Sequence, residues 1–413
     1  MKNTGVSKSA SKPQSIFIRN LLVFIAIVFA QFQFLTYSKF PITFSLFALL
    51  PTLFIIFEGK IRSSILVLLL LVNINFLLTY FIYASTIETT EWFRSFTLFL
   101  FAGIAILLMA RTPISNLKEY LPAIRLTIIV SSIFSIAQAI FGNKRIEWLE
   151  KPFGYFTNYF KLPGDYSERF PRAYGFYNEP SFNAIVALAV LPYVLTLETR
   201  HKNKLLFLVF VWLLSARSFS GLVSYIILFS LIFFSTKRKG FNVALIAVTF
   251  AIYANYLIYR LNSISEDGSS ANYRTVGALR LFVSEFPSKP FGSPLGTREQ
   301  LLFNYQIILN RQVGVSVDNG FLYFLLVSGI LGIVILLLAI ILVCRLCVLH
   351  FRLQDENWPI FLIPFFLIFA TGSINMPEFL LMMAICIACL GKHHKNIVNA
   401  KELAKYENLI RQH

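Results

Sequence analysis

Apolar residues dominate this chain in long unbroken runs, separated by short clusters of charge, rather than at the helical or alternating spacing of a soluble fold. Runs fit to cross a ~30 Å hydrocarbon core fall at residues 16–36, 41–57, 63–83, 93–110, 124–141, 180–197, 204–216, 220–236, 241–259, 319–344, 358–372 and 378–391. They predict an all-α, polytopic integral membrane protein with about 12 transmembrane helices. A polar, Lys- and Ser-rich stretch at residues 1–15 precedes the first run, which carries no small-residue cleavage pattern and is expected to stay as a span. The expected division is therefore an N-terminal tail at 1–15, one transmembrane domain at 16–391 and a C-terminal tail at 392–413.

Composition agrees: 57% of the 413 residues are hydrophobic, 14% are charged, and 44 are Phe, which leaves no stretch able to form a soluble domain of useful size. Charge then orients the spans. With both termini cytoplasmic, the inward connections carry about 22 Lys/Arg against 7 Asp/Glu, and the outward ones about 15 against 13, the asymmetry of the positive-inside rule. The net charge of +17 is thus an orientation signal and not the footprint of a nucleic-acid partner.

Two outward connections are much longer than the rest, residues 142–179 and 260–318. Both mix Tyr, Phe, Trp and Pro with charge, as in Arg280-Leu-Phe-Val-Ser-Glu-Phe-Pro, so they are expected to be ordered external loops with short amphipathic stretches. A different geometry is implied by Lys204 to Thr236, which basic clusters flank at both ends. The chain must go out and return, and arms of about 14 to 16 residues span only ~21–24 Å. Non-helical backbone at that depth needs protein or a water-filled cavity around it, so the turn Ser215-Ala-Arg217-Ser-Phe-Ser-Gly221 is expected to present Arg217 to a cavity opening outward.

Charges at the mouth of apolar spans are costly beside lipid and mark candidate sites. Arg172-Ala-Tyr-Gly175-Phe-Tyr-Asn-Glu179-Pro-Ser181 opens the sixth run, and Asp318-Asn319 opens the tenth, followed after nine residues by Gly329-Ile-Leu-Gly332. Each has a plain structural reading beside the functional one. Arg172 can pair with lipid headgroups or Glu168, and Arg217 can cap carbonyls in its turn. Glu179-Pro180-Ser181 is also a good helix start, and Asp318-Asn319 a good N-cap.

Together these three stretches resemble the Wzy-type O-antigen and exopolysaccharide polymerases, in the broad superfamily that includes the O-antigen ligases. The arginine and Glu-Pro-Ser stretch, the Ser-Ala-Arg-Ser-Phe-Ser-Gly turn and the Asp-Asn, nine residues, Gly-x-x-Gly pattern are the matching segments. Asp318 stands where the family has histidine, and all five His (201, 350, 393, 394 and 413) fall on segments expected to be cytoplasmic.

The resemblance implies a GT-C-like membrane glycosyltransferase in the bacterial inner membrane. It would join polyprenyl-pyrophosphate-linked oligosaccharide units at the outer face, with the lipid bilayer and a chain-length regulator as further candidate partners. The alternatives are an O-antigen ligase moving glycan to a lipid core, and a transporter or flippase for lipid-linked sugars, for which repeats or interrupted helices are expected. Developing charge on a pyrophosphate leaving group calls for arginines, and an acceptor hydroxyl calls for a carboxylate base. Arg172 and Arg217 are the first candidates for the clamp, Arg274 and Arg280 the second. Asp318 is the first candidate for the base and Glu179 the next, with Asn319 as a substrate or loop contact.

No cofactor is implied, in keeping with the lack of a Gly-rich phosphate loop. Cys344-x-x-Cys347 and Cys386-x-x-Cys389, with His393 and His394 just beyond, have the look of a zinc site, but both pairs lie within apolar helical runs. They are read as ordinary small core residues, and no metal is expected.

Overall fold

A computed structural model describes residues 13–30, 33–37, 40–43, 57–58, 63–83, 89–109, 112–113, 117–141, 173, 175–177, 180–198, 200–235, 239–266, 272, 275–295, 319–370 and 377–412. The α-helices are α1 Pro13–Val28, α2 Ser63–Tyr83, α3 Thr89–Met109, α4 Leu121–Phe141, α5 Pro180–Thr196, α6 Lys202–Ala216, α7 Phe219–Ser235 and α8 Lys239–Asn262. They continue as α9 Val276–Glu285, α10 Gly320–Arg352, α11 Ile363–Phe369 and α12 Pro377–Gln412. Two small antiparallel pairs accompany them: β1 Gln33–Tyr37 with β2 Phe40–Thr43, and β3 Phe57–Glu58 with β4 Thr112–Pro113.

Four stretches among the described residues are helical, long and apolar enough to cross a membrane: Ser63–Tyr83, Thr89–Leu107, Leu117–Ile140 and Gly320–Arg352. Shorter apolar helices lie at Ile16–Val28, Pro180–Thr196, Phe219–Ile232 and Trp358–Phe369. Large apolar side chains also face outward on several of the described helices. Leu66, Val67, Leu70 and Phe81 of α2, and Ile330, Val334, Leu337 and Ile341 of α10, are all exposed. Water would make a patch of this kind a large liability, whereas lipid tails solvate it, and the chain is an integral membrane protein.

The first helix is shorter than its apolar run, ending at Val28 with β1 beginning at Gln33. The second run, 41–57, falls on no described helix; β2 and β3 lie at its two ends and its middle is outside the described residues. Phe and Thr suit a pleated strand as well as a span, so apolarity alone does not choose between them. At the other end, α12 continues without a break past residue 391 to Gln412, so the change from apolar to polar composition there is not a change of structure.

Helix α5 is the axis of the bundle. Every residue from Pro180 to Leu195 is buried, and α4, α6, α7, α11 and α12 surround it. A helix enclosed on all sides has to be apolar all round, which is why it shows no polar stripe. At its far end, Arg125 of α4 meets Glu198 just after α5, with Nε to Oε2 at 2.5 Å, and the backbone N–H groups of Arg200 and His201 donate to the other carboxylate oxygen. Those contacts outweigh the burial that opposes ionisation, and hold the Glu198 carboxyl down at about 2.

Candidate functional site

The turn between α6 and α7 is built from backbone outward. Arg217 ends α6 in the left-handed conformation (φ 45°, ψ 36°), a region that a side chain with a Cβ enters only at a cost of ~1–2 kcal/mol. Two tyrosines of α8 hold it there. Tyr253 Oη donates to Leu214 O and Tyr256 Oη donates to Arg217 O, both at 2.8 Å. The guanidinium then turns back over Tyr253, its carbon 5.6 Å from the ring centroid and its Nε 3.4 Å from the hydroxyl.

The rest of the turn follows from its sequence. Ser218 accepts the first helical hydrogen bond of α7 from Leu222 N (2.8 Å), and its Oγ lies 3.4 Å from Gly221 N, the arrangement of an N-cap. Gly221 has no side chain because a Cβ there would stand 2.6 Å from the Cβ of Ala184, so the head of α7 rests directly on the first turns of α5.

Ala173 lies against this turn, and residues 175–177 follow it across α4 and α1. Ala173 N donates to Ser215 O at 3.0 Å, joining the residue after Arg172 to a carbonyl two residues before Arg217. Gln138 of α4 clasps Gly175 on both sides, accepting from its N–H at 2.8 Å and donating to its carbonyl at 3.3 Å. Gly175 has φ 63°, and a Cβ there would fall 2.5 Å from Asn183 Oδ1. Phe176 stacks on Phe134 at 4.2 Å, and Tyr177 Oη reaches Ile27 O at 3.2 Å.

Asn183 of α5 ties these pieces into one unit. Wholly buried, it accepts from Trp212 Nε1 of α6 at 2.6 Å, and its Nδ2 donates to Ser135 Oγ of α4 at 3.0 Å and to Ala173 O at 3.2 Å. A buried amide with its groups matched in this way fixes three helices and a connecting segment in one register. Sequence reasoning passed it over. The signal was there: an amide four residues beyond Glu179, inside an otherwise apolar helix, is costly unless it is partnered.

Of the other candidates, Arg172, Glu179, Arg274 and Asp318 lie outside the described residues. Arg280 is exposed on α9, whose Gly277, Ala278 and Leu281 face inward. Asn319 is buried and caps α10, its Oδ1 accepting from Phe321 N at 3.1 Å and Leu322 N at 3.2 Å, as the structural reading of that pair expects.

The Gly329-Ile-Leu-Gly332 stretch has a specific cause. At Gly329 (φ 54°, ψ −132°) α10 is interrupted, and residues 290–295 cross it there. Ile330 N, which an unbroken helix would bond to Leu326 O, donates instead to Pro290 O at 2.9 Å, and Leu326 O accepts from Ser293 N at 2.7 Å. Asn75 of α2 secures the crossing strand through Phe291 O at 2.9 Å. An interruption of this kind was the mark expected of the transporter alternative, but here the crossing segment takes up both freed backbone groups rather than leaving them for an ion.

All four cysteines are free, with Cys344 exposed and Cys347, Cys386 and Cys389 buried.

The family described as WcaD colanic acid polymerase matches residues 18–392, nearly the whole chain, which takes in all the candidate site residues. No curated protein matches the chain.

Proposed function

The chain belongs to the WcaD colanic acid polymerase family, an exopolysaccharide polymerase family, and from that premise we propose that it links lipid-borne repeat units into a polysaccharide. The donor is a polyprenyl-pyrophosphate-linked oligosaccharide held at the outer face of the bacterial inner membrane, in a protein of about twelve spans with both ends cytoplasmic. Two large external loops complete a GT-C-like arrangement. No cofactor takes part.

The observation that carries this reading is the bond from Ala173 N to Ser215 O, because it joins the two arginine-bearing segments at one place. Arg172 is one peptide bond from Ala173, and Arg217 is two residues from Ser215. Two guanidinium groups in such a site clamp the diphosphate through paired charge-assisted hydrogen bonds, which strengthen as the sugar–phosphate bond lengthens and charge gathers on the leaving oxygen.

In the reaction, an acceptor hydroxyl attacks the anomeric carbon of the donor. The new glycosidic C–O bond forms as the bond to the phosphate oxygen breaks, the proton passes to a carboxylate, and the polyprenyl diphosphate departs with the electron pair. Asp318 is the first candidate for that carboxylate and Glu179 the second. Arg274, Arg280 and Asn319 belong to the wider substrate-binding set, with Asn319 acting through the start of α10, which it caps. A chain-length regulator is a further candidate partner for this reaction.

Purified protein supplied with polyprenyl-pyrophosphate-linked repeat units tests the reading. A ladder of products spaced by one repeat unit is expected. Release of the diphosphate lipid without any product longer than one unit would refute polymerisation.

A further inference from the structure

Away from the arginine turn, at the junction of α10, the bend at residues 353–357 and α12, three metal-binding side chains meet in the interior. Asp355 Oδ2 lies 2.7 Å from His350 Nδ1 and 2.7 Å from His393 Nε2. All three donor atoms are within 4.8 Å of one another, and all three residues are buried. We propose that this is a binding site for a divalent transition metal, zinc by its donor set, that fastens the end of α10 to α12.

The chemistry fits the ion. Two imidazoles and one carboxylate are a common zinc donor set, and three protein ligands leave a fourth tetrahedral position for water. Neighbouring ligand atoms around such an ion stand ~3.3 Å apart, given bonds of about 2.0–2.1 Å, so each nitrogen has to draw back from Asp355 by roughly half an ångström while the two nitrogens, within 4.8 Å of each other, close up around the ion.

The surroundings are those that orient metal ligands. His350 Nε2, the nitrogen turned away from the centre, lies 2.9 Å from His394 Nδ1, a hydrogen bond that holds the ring's orientation. Asp355 Oδ1 accepts from Asn357 N at 3.0 Å, leaving Oδ2 for the centre. Phe361 closes one side, its ring centroid 4.3 Å from that of His350.

The ligands come from His and Asp, whereas the pattern that suggests zinc in the sequence is the pair of Cys-x-x-Cys stretches; Cys386 and Cys389 are buried upstream in α12. The inference is independent of the catalytic reading, since none of these residues belongs to the arginine site.

The test uses full-length protein carrying no histidine tag, purified in detergent, freed of metal and dialysed against Zn2+. About one zinc per chain should remain, with a rise in melting temperature that chelator reverses, and Co2+ in its place should give the visible absorption of a four-coordinate site. Asp355→Asn and His393→Gln should each weaken zinc binding at least tenfold. Retention unchanged in both variants, or a wild-type protein that neither keeps zinc nor gives the cobalt bands, would overturn the proposal. The wild-type measurement decides the matter even where the variants do not accumulate.

Discussion

The indole N–H of Trp212 donates to Asn183 Oδ1 at 2.6 Å, with both side chains fully buried in the helix bundle. Through the same side chain, Asn183 holds Ser135 and the carbonyl of Ala173, so the position of the segment after Arg172 depends on an amide in the middle of α5.

Trp212→Phe keeps most of the ring's packing but leaves the Asn183 oxygen buried without its donor, at a cost of about 1–3 kcal/mol. The variant should insert normally, melt at a lower temperature and make shorter glycan chains. Asn183→Ala loses all three contacts and should do worse on both counts. Thermal unfolding in detergent, run beside a chain-length gel, checks this; a Trp212→Phe protein with wild-type melting and wild-type chains would show that the amide hub does not position the site.

At Gly329, an added Cβ would lie 2.2 Å from Pro290 O on a backbone with φ 54°. Gly329→Ala therefore carries both a backbone penalty of ~1–3 kcal/mol, for a positive-φ conformation that glycine alone enters readily, and a collision with backbone that cannot swing aside. Gly103→Ala is the matched control, since its nearest neighbour would be a side-chain carbon 3.7 Å away. The first variant should accumulate poorly or unfold early, and the second should behave as wild type. Equal stability of the two would contradict the crossing of α10 by residues 290–295.

The ion pair of Arg125 and Glu198 gives a pH dependence with a definite sign. The Glu198 carboxyl titrates at about 2 in the folded protein against an ordinary 4.5, so its contribution is fully present above the ordinary value and fades as pH falls towards the lower one. Glu198→Gln should cost about 1–3 kcal/mol at neutral pH, the range between an exposed and a buried pair. The gap between variant and wild type should close as the solution is acidified. Melting curves over that window measure it, and a gap that stays constant would rule the pair out as its source.

Much of the helical architecture is legible in the sequence, because an apolar run of span length between charges has few alternatives to a helix. Ser63–Tyr83 begins and ends where its apolar run does. What depends on contacts between distant residues is not legible. The second run, 41–57, carries residues that suit strands, and β2 and β3 occupy its ends. Gly329 and Gly332 are visible as a pair, but the interruption at Gly329 exists only because residues 290–295 arrive there.

The candidate site is legible to a similar degree. Arg217 and its turn stand out as charge in a short apolar hairpin, and Asn319 as a helix cap. Asn183 and Gln138 are single amides whose partners lie in other helices or at Ala173 and Gly175, and His350, Asp355 and His393 are separated by up to 43 residues, so no local spacing announces them. The distance from His350 to His393 in the chain is closed only by the return of α11 and α12 against α10.

The arginines themselves give the decisive comparison. Arg172→Ala, Arg217→Ala and the double variant, brought to equal protein levels and supplied with lipid-linked repeat units, are compared by initial rate of polymer formation. Two groups gripping one diphosphate act as a unit, so each single variant should fall roughly 100-fold or more and the double variant should fall little further. Losses that simply multiply, or a full-length ladder from either single variant, would mean that the two arginines do not serve one site.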